Sequence, residues 1–147
     1  MNNGIGLELL QERREKDIVA TRVTDEQERL LCLPRVAGAR CVVLEHTVYA
    51  MLRAICDTYD GGFWDYYKLS NGGFYMAPAS ESLFHLVCEN YFERDVSADA
   101  AGVIATSYAY SHLSFSIGGE RFGLASRQLS SYIAQREDAV LIFAALD

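Results

Sequence analysis

The sequence predicts an α+β fold: a single domain in which a central antiparallel β-meander of three to four strands is flanked by four to five helices. Three observations point there. Aromatic-rich runs on either side of Ser70-Asn71-Gly72-Gly73 make a hairpin pattern, because Asn and Gly tolerate the positive φ that a tight turn needs. Apolar residues recur at helical spacing from Cys41 to Cys56 and again after Ser97. The strand candidates between them are too close together in sequence for helical crossovers, so they must pair antiparallel.

Taken in order, residues 1–17 form a charged segment outside the domain, expected to be mobile, with a short helix over Leu7–Lys16. Ile18 to Val23 is compatible with a strand. Asp25–Leu33 reads as a short helix that Pro34 ends. In the next helix Cys41, Leu44, Val48, Met51, Leu52 and Ile55 make an apolar stripe, and Gly61-Gly62 follows its end. The hairpin strands span Phe63–Leu69 and Phe74–Ala77, with Pro78 closing the second or marking it as an edge. Leu83–Glu89 is a third strand candidate, and a fourth starts at Tyr91-Phe92 after a turn at Glu89-Asn90. Ser97 is placed as a helix N-cap with Asp99 in the first turn. That helix buries Ala101, Ile104, Ala105 and Tyr108 and stops before Gly118-Gly119. Helices over Glu120–Gln135 and Asp138–Leu146 complete residues 18–147 as one domain.

The net charge of −7 is carried by residues 41–147, where thirteen acids face six bases. Eight of those acids lie between Asp57 and Asp99, against only Lys68 and Arg94. Such a surface repels phosphates and argues against direct nucleic-acid binding. It also falls well short of the charge density a duplex mimic needs, about one charge per 1.7 Å. Cys32, Cys41, Cys56 and Cys88 form no CxxC pair, and the N-terminus lacks an apolar signal core, so a reducing cytoplasm is expected. Ala100 to Gly119 has no Asp, Glu, Lys or Arg, yet its four serines, Thr106, His112 and three glycines suit a buried helix rather than a membrane span.

Chemistry-bearing patterns are scarce. His46, His85 and His112 fall in no metal-binding or HExxH spacing, and no phosphate loop or nucleophile elbow occurs. Asp95-Val-Ser-Ala-Asp99 admits two readings. Its carboxylates could hold Mg²⁺ in a small hydrolase or nuclease, or the segment is a strand-to-helix junction with a capping Ser, which needs no cofactor. Asp57, Asp60 and Asp65 lack the calcium-loop pattern. In the hairpin, alternation sets Phe63, Asp65, Tyr67 and Leu69 on one face and Trp64, Tyr66 and Lys68 on the other. Both faces are aromatic. One packs on the core, and the other is either covered by further helices or used as a contact surface.

The segments from Tyr59 to Tyr67 (YDGGFWDYY) and Leu69 to Pro78 (LSNGGFYMAP), with Ser97–Gly102 (SADAAG), Ile104-Ala105 and the terminal Ile142–Asp147, resemble the ArdB/KlcA antirestriction family. Arg29-Leu30 and Leu33-Pro34-Arg35 are similar to its N-terminal portion. The resemblance runs in order over residues 18–147, leaving 1–17 outside, and Val96 stands where a Met is more usual. It implies a small cytoplasmic protein, carried by plasmids or other mobile DNA, that relieves type I restriction-modification of incoming DNA. It further implies a non-enzymatic inhibitor without cofactor or metal, acting directly or indirectly on the host restriction complex. No catalytic residue carries over, and oligomeric state stays open. For a contact surface, the motif residues are Trp64, Tyr66, Asn71 and Tyr75 on the hairpin, then Asp95, Asp99 and Asp147. The alternative remains a metal-dependent hydrolase or nuclease using Asp95 and Asp99.

Overall fold

In the computed structural model, which describes residues 17–147, two small antiparallel sheets and five α-helices surround one connected core. The expected helix over Leu7–Lys16 and the rest of residues 1–16 lie outside the described residues. In chain order, β1 (Ala20–Arg22) leads to α1 (Glu26–Ala37), a 3₁₀ turn (Gly38–Arg40) and α2 (Cys41–Ile55). The hairpin β2 (Trp64–Leu69) and β3 (Phe74–Pro78) follows, then the hairpin β4 (Phe84–Val87) and β5 (Glu93–Val96). Helices α3 (Ala98–Ser114), α4 (Glu120–Ile133) and α5 (Ala139–Leu146) end the chain.

The α+β class is as expected, but the strands do not form one continuous meander. They divide into a three-stranded sheet, β1-β2-β3, and a separate β4-β5 pair. Side chains of α3 occupy the edge where β4 would have to pair. In β3, Phe74, Met76 and Pro78 turn their backbone groups away from β2, since Tyr66 and Met76 are opposed between flanking hydrogen-bonded pairs such as Leu69 N–H to the Gly73 carbonyl at 2.9 Å. The Thr106 hydroxyl accepts from Met76 N–H at 3.3 Å and donates to the Met76 carbonyl at 3.1 Å. Tyr110 donates to the Phe74 carbonyl at 2.7 Å. Pro78 has no N–H to satisfy. The edge of β3 is therefore buried without another strand.

Helix α3 is the central element. It is buried on nearly every side, as expected for the charge-free stretch. No helix among the described residues is long and apolar enough to cross a membrane. Ser97 caps α3 by accepting from Ala100 N–H at 3.0 Å, and Asp99 lies in its first turn. At Gly102 a Cβ would come within 2.3 Å of the Ala77 Cα, so this glycine sets the helix-to-strand distance.

Helix α1 departs from expectation. Asp25 caps it, accepting from Glu28 N–H at 3.0 Å, but Pro34 lies inside the helix, which continues to Ala37. The proline removes only the bond to the carbonyl of Leu30, an exposed residue, whereas Cys32, Leu33 and Ala37 keep the buried stripe intact. The stop comes from Gly38 at φ 56°, whose N–H bonds the Pro34 carbonyl. Strand β5 starts later than expected because the turn takes Tyr91, at φ 71°. There Asn90 Oδ1 accepts from Phe92 N–H at 3.1 Å.

Candidate interaction site

The hairpin tip is a three-residue loop, Ser70-Asn71-Gly72, with Gly72 at φ 90°. Asn71 Oδ1 accepts from Gly73 N–H at 3.0 Å, and its amide donates to the Gln128 carbonyl at 2.9 Å. Gln128 returns a bond to the Asn71 carbonyl at 3.1 Å. Asn71 thus ties the hairpin tip to α4, a structural use that accounts for the Asn-Gly-Gly motif.

On one face of the hairpin Trp64 and Tyr66 lie under α1 and α2. Trp64 is 3% and Tyr66 8% exposed. Trp64 Nε1 donates to the Tyr59 hydroxyl at 2.9 Å, and its ring lies 5.2 Å from that of Tyr49. The Arg29 guanidinium stands 4.2 Å above the Tyr66 ring and bonds the Trp64 carbonyl at 3.1 Å. Burial, reinforced by Glu45, pushes the Tyr66 phenol up to about 12. Trp64 and Tyr66 are core residues, so their placement on an exposed surface is corrected. The helical pair α1–α2 needs a wide apolar floor, and the large rings supply it.

The opposite face carries the cluster with most charge. Tyr67 and Tyr75 stack at 4.7 Å and 7°, and Tyr75 stacks on Tyr132 of α4 at 5.8 Å and 19°. Tyr75, 1% exposed and likewise no surface residue, donates to Asp99 Oδ1 at 2.8 Å. Arg136 Nη1 reaches Asp99 Oδ2 at 2.7 Å, while its Nε and Nη2 grip both oxygens of Asp138 at 2.7 and 2.9 Å. Burial and then Asp99 push the Tyr75 phenol far up. Burial alone would lower Arg136, but its bonds to Asp138 and Asp99 more than offset that and hold it charged. The Arg136 hydrogen bonds keep Asp138 below the usual carboxylate range.

This cluster joins the LSNGGFYMAP strand, the SADAAG helix start and the α4–α5 turn in one polar knot. Shallow cavities flank it. One of about 310 Å³ is lined by Asp65, Tyr67, Glu81 and Asp99, and one of about 610 Å³ by residues 17–20, Tyr132 and residues 135–138. The sequence reading paired neither Tyr132 nor Arg136 with the motifs. Their i, i+4 spacing near the end of α4 was a signal for contact with each other but not with Asp99.

The remaining expected residues lie apart. Asp95 is exposed on β5 and binds His85 Nδ1 at 2.6 Å, with Glu93 on the other ring nitrogen at 3.2 Å. Asp147 is exposed beside a cavity of about 350 Å³ lined by Met51, Ile55, Val87 and Tyr108. Asp95 and Asp99 have separate partners, so the pair required by the hydrolase alternative is not assembled. Among the described residues no three His, Cys, Asp or Glu side chains gather as a metal site.

Comparison with known proteins places these features in a family. Residues 57–147 match the family model described as antirestriction protein. An Escherichia coli antirestriction protein KlcA is 37% identical over 138 residues, covering 88% of this chain and 94% of its own. The putative antirestriction protein YubI of Escherichia coli strain K12 is 38% identical over 131 residues, covering 84% and 92%. A solved structure superposes with a TM-score of 0.81 at 34% identity, covering 88% of this chain and 95% of its own. It comes from work describing KlcA and ArdB as having a novel fold and antirestriction activity against type I DNA restriction systems in vivo but not in vitro.

Proposed function

The chain belongs to the antirestriction protein family, and from that membership we propose that it relieves type I restriction of incoming DNA inside the host cell. The observation that carries this reading is the continuity of the match. Relatives with antirestriction names align over nearly the whole chain, and the two diagnostic motifs meet through Tyr75 and Asp99.

We place the action in protein contact or an indirect cellular route rather than in catalysis. KlcA and ArdB act in vivo but not in vitro, which favours a route that needs other components of the cell. The net charge of −7 disfavours gripping DNA directly. Residues 18–147 are taken as one domain, supported by the single connected core, and its four free cysteines suit a reducing cytoplasm. With Trp64, Tyr66 and Tyr75 buried, the candidate contact surface contracts to Asp99 with the rims of Tyr67 and Tyr132, and to Asp95, Asn71 and Asp147.

The test is plating of unmodified phage on a host with a type I restriction enzyme, with and without this protein. Plating efficiency is expected to rise when the protein is present. Equal restriction in both strains would remove the proposal.

A further inference from the structure

The tip of the β2–β3 hairpin, α1 and α4 enclose a cavity of about 250 Å³ whose chemistry is opposite to that of the molecule. The chain carries a net charge of −7, yet Arg35, Lys68 and Arg121 line this cavity and, among the described residues, no acid does. The Gln128 side chain adds a polar group, and Phe74 and Leu124 contribute apolar wall. The size and the mixture of apolar wall with a few convergent polar groups suit a small ligand.

The cations are held in place. Glu28, which does not line the cavity, accepts from Arg35 Nη1 at 2.9 Å and from Lys68 Nζ at 2.8 Å through the same oxygen. One carboxylate therefore positions two cations and neutralises only one of them. Arg121 lies against the backbone of Gly38, where a Cβ would come within 2.3 Å of its Nη1. Gly38, at φ 56°, thus leaves the guanidinium a seat at the cavity. Among the described residues, no carboxylate lies within ion-pair distance of Arg121.

From this juxtaposition we infer that the cavity binds a small organic anion: one phosphate or carboxylate group on an apolar body the size of a single ring. The anion meets Arg121 and Lys68, and the ring lies between Phe74 and Leu124. Charge-assisted bonds to a guanidinium fork supply the affinity, and the apolar wall selects against bare inorganic ions. This inference is independent of the antirestriction reading, and its test reads binding alone.

The experiment titrates the full chain with phenyl phosphate, inorganic phosphate and phenol at low salt, by calorimetry and by NMR shifts. Phenyl phosphate is expected to bind at least about tenfold more tightly than either fragment. Arg121→Ala, at an exposed helix position, should weaken it by about tenfold or more without changing the melting temperature. Leu124→Glu, also at an exposed position, should abolish it by placing a carboxylate at the mouth. Absence of phenyl phosphate binding, or binding unchanged in both variants, would overturn the inference. Equal affinity for phenyl and inorganic phosphate would overturn it too, since surface charge alone would then explain the binding.

Discussion

Substituting Gly102 with Ala places a methyl group where helix α3 meets strand β3. The new Cβ would lie 2.3 Å from both the Cα and the Cβ of Ala77 and 2.5 Å from the Met76 carbonyl oxygen. Ordinary contact begins near 3.4 Å, so helix and strand must part by about 1 Å. Two of these three neighbours are backbone atoms and cannot rotate aside. Overpacking of this kind costs about 3 kcal/mol at the upper end of its usual range. The gain in helix propensity on replacing glycine recovers about 1 kcal/mol. The net loss is about 2 kcal/mol, or a fall in melting temperature of about 4–8 °C for a chain of this size. Gly123 in α4 supplies the control, because a Cβ there meets nothing nearer than Arg127 Nη1 at 3.5 Å. Gly123→Ala should therefore stabilise by about 0.5–1 kcal/mol. Urea unfolding of both variants measures the pair. If Gly102→Ala proved as stabilising as Gly123→Ala, the close approach of α3 to β3 would be refuted.

Two further outcomes follow from the same structure. Thr106→Val keeps the shape but leaves the Met76 N–H and carbonyl buried without partners, a loss of about 1–3 kcal/mol in chemical denaturation, with faster hydrogen exchange at Met76; unchanged exchange would contradict the edge-capping role. The Asp95 hydrogen bond, aided by Glu93, raises the His85 imidazole above its ordinary 6.5. Its contribution to stability is therefore complete below the unfolded value and lost as pH rises through the folded one. An NMR titration should find the His85 midpoint falling towards 6.5 in Asp95→Asn; no movement would separate the two groups.

Much of the local structure was legible because it depends on neighbours in sequence. The Asn-Gly-Gly turn, the Ser97 cap and the stripe on α2 each rest on a few adjacent residues, and each occurs where the pattern placed it. Pro34 misled because its cost is local and small, while the burial of Leu33 and Ala37 that outweighs it depends on distant packing partners. The aromatic hairpin misled in the same way. Alternation correctly set Tyr67 opposite Trp64 and Tyr66, but Phe63, just before the strand, shares Arg29 with Tyr66 instead of joining the Tyr67 face. Nothing in the pattern revealed that α1–α2 would cover Trp64 and Tyr66, or that Tyr132 would stack on Tyr75.

Residue order alone was enough for the α+β class, the hairpin, the buried central helix and the family resemblance, since those rest on periodicity and on short contiguous motifs. Tertiary structure decided the rest. It split the strands into two sheets, because Thr106 and Tyr110 reach the β3 edge from thirty or more residues away. It also joined Asp99 to Arg136 and gathered Arg35, Lys68 and Arg121 around one cavity in an acidic chain. Such juxtapositions of side chains depend on how helices pack, and packing is a property of the whole core rather than of any window of sequence.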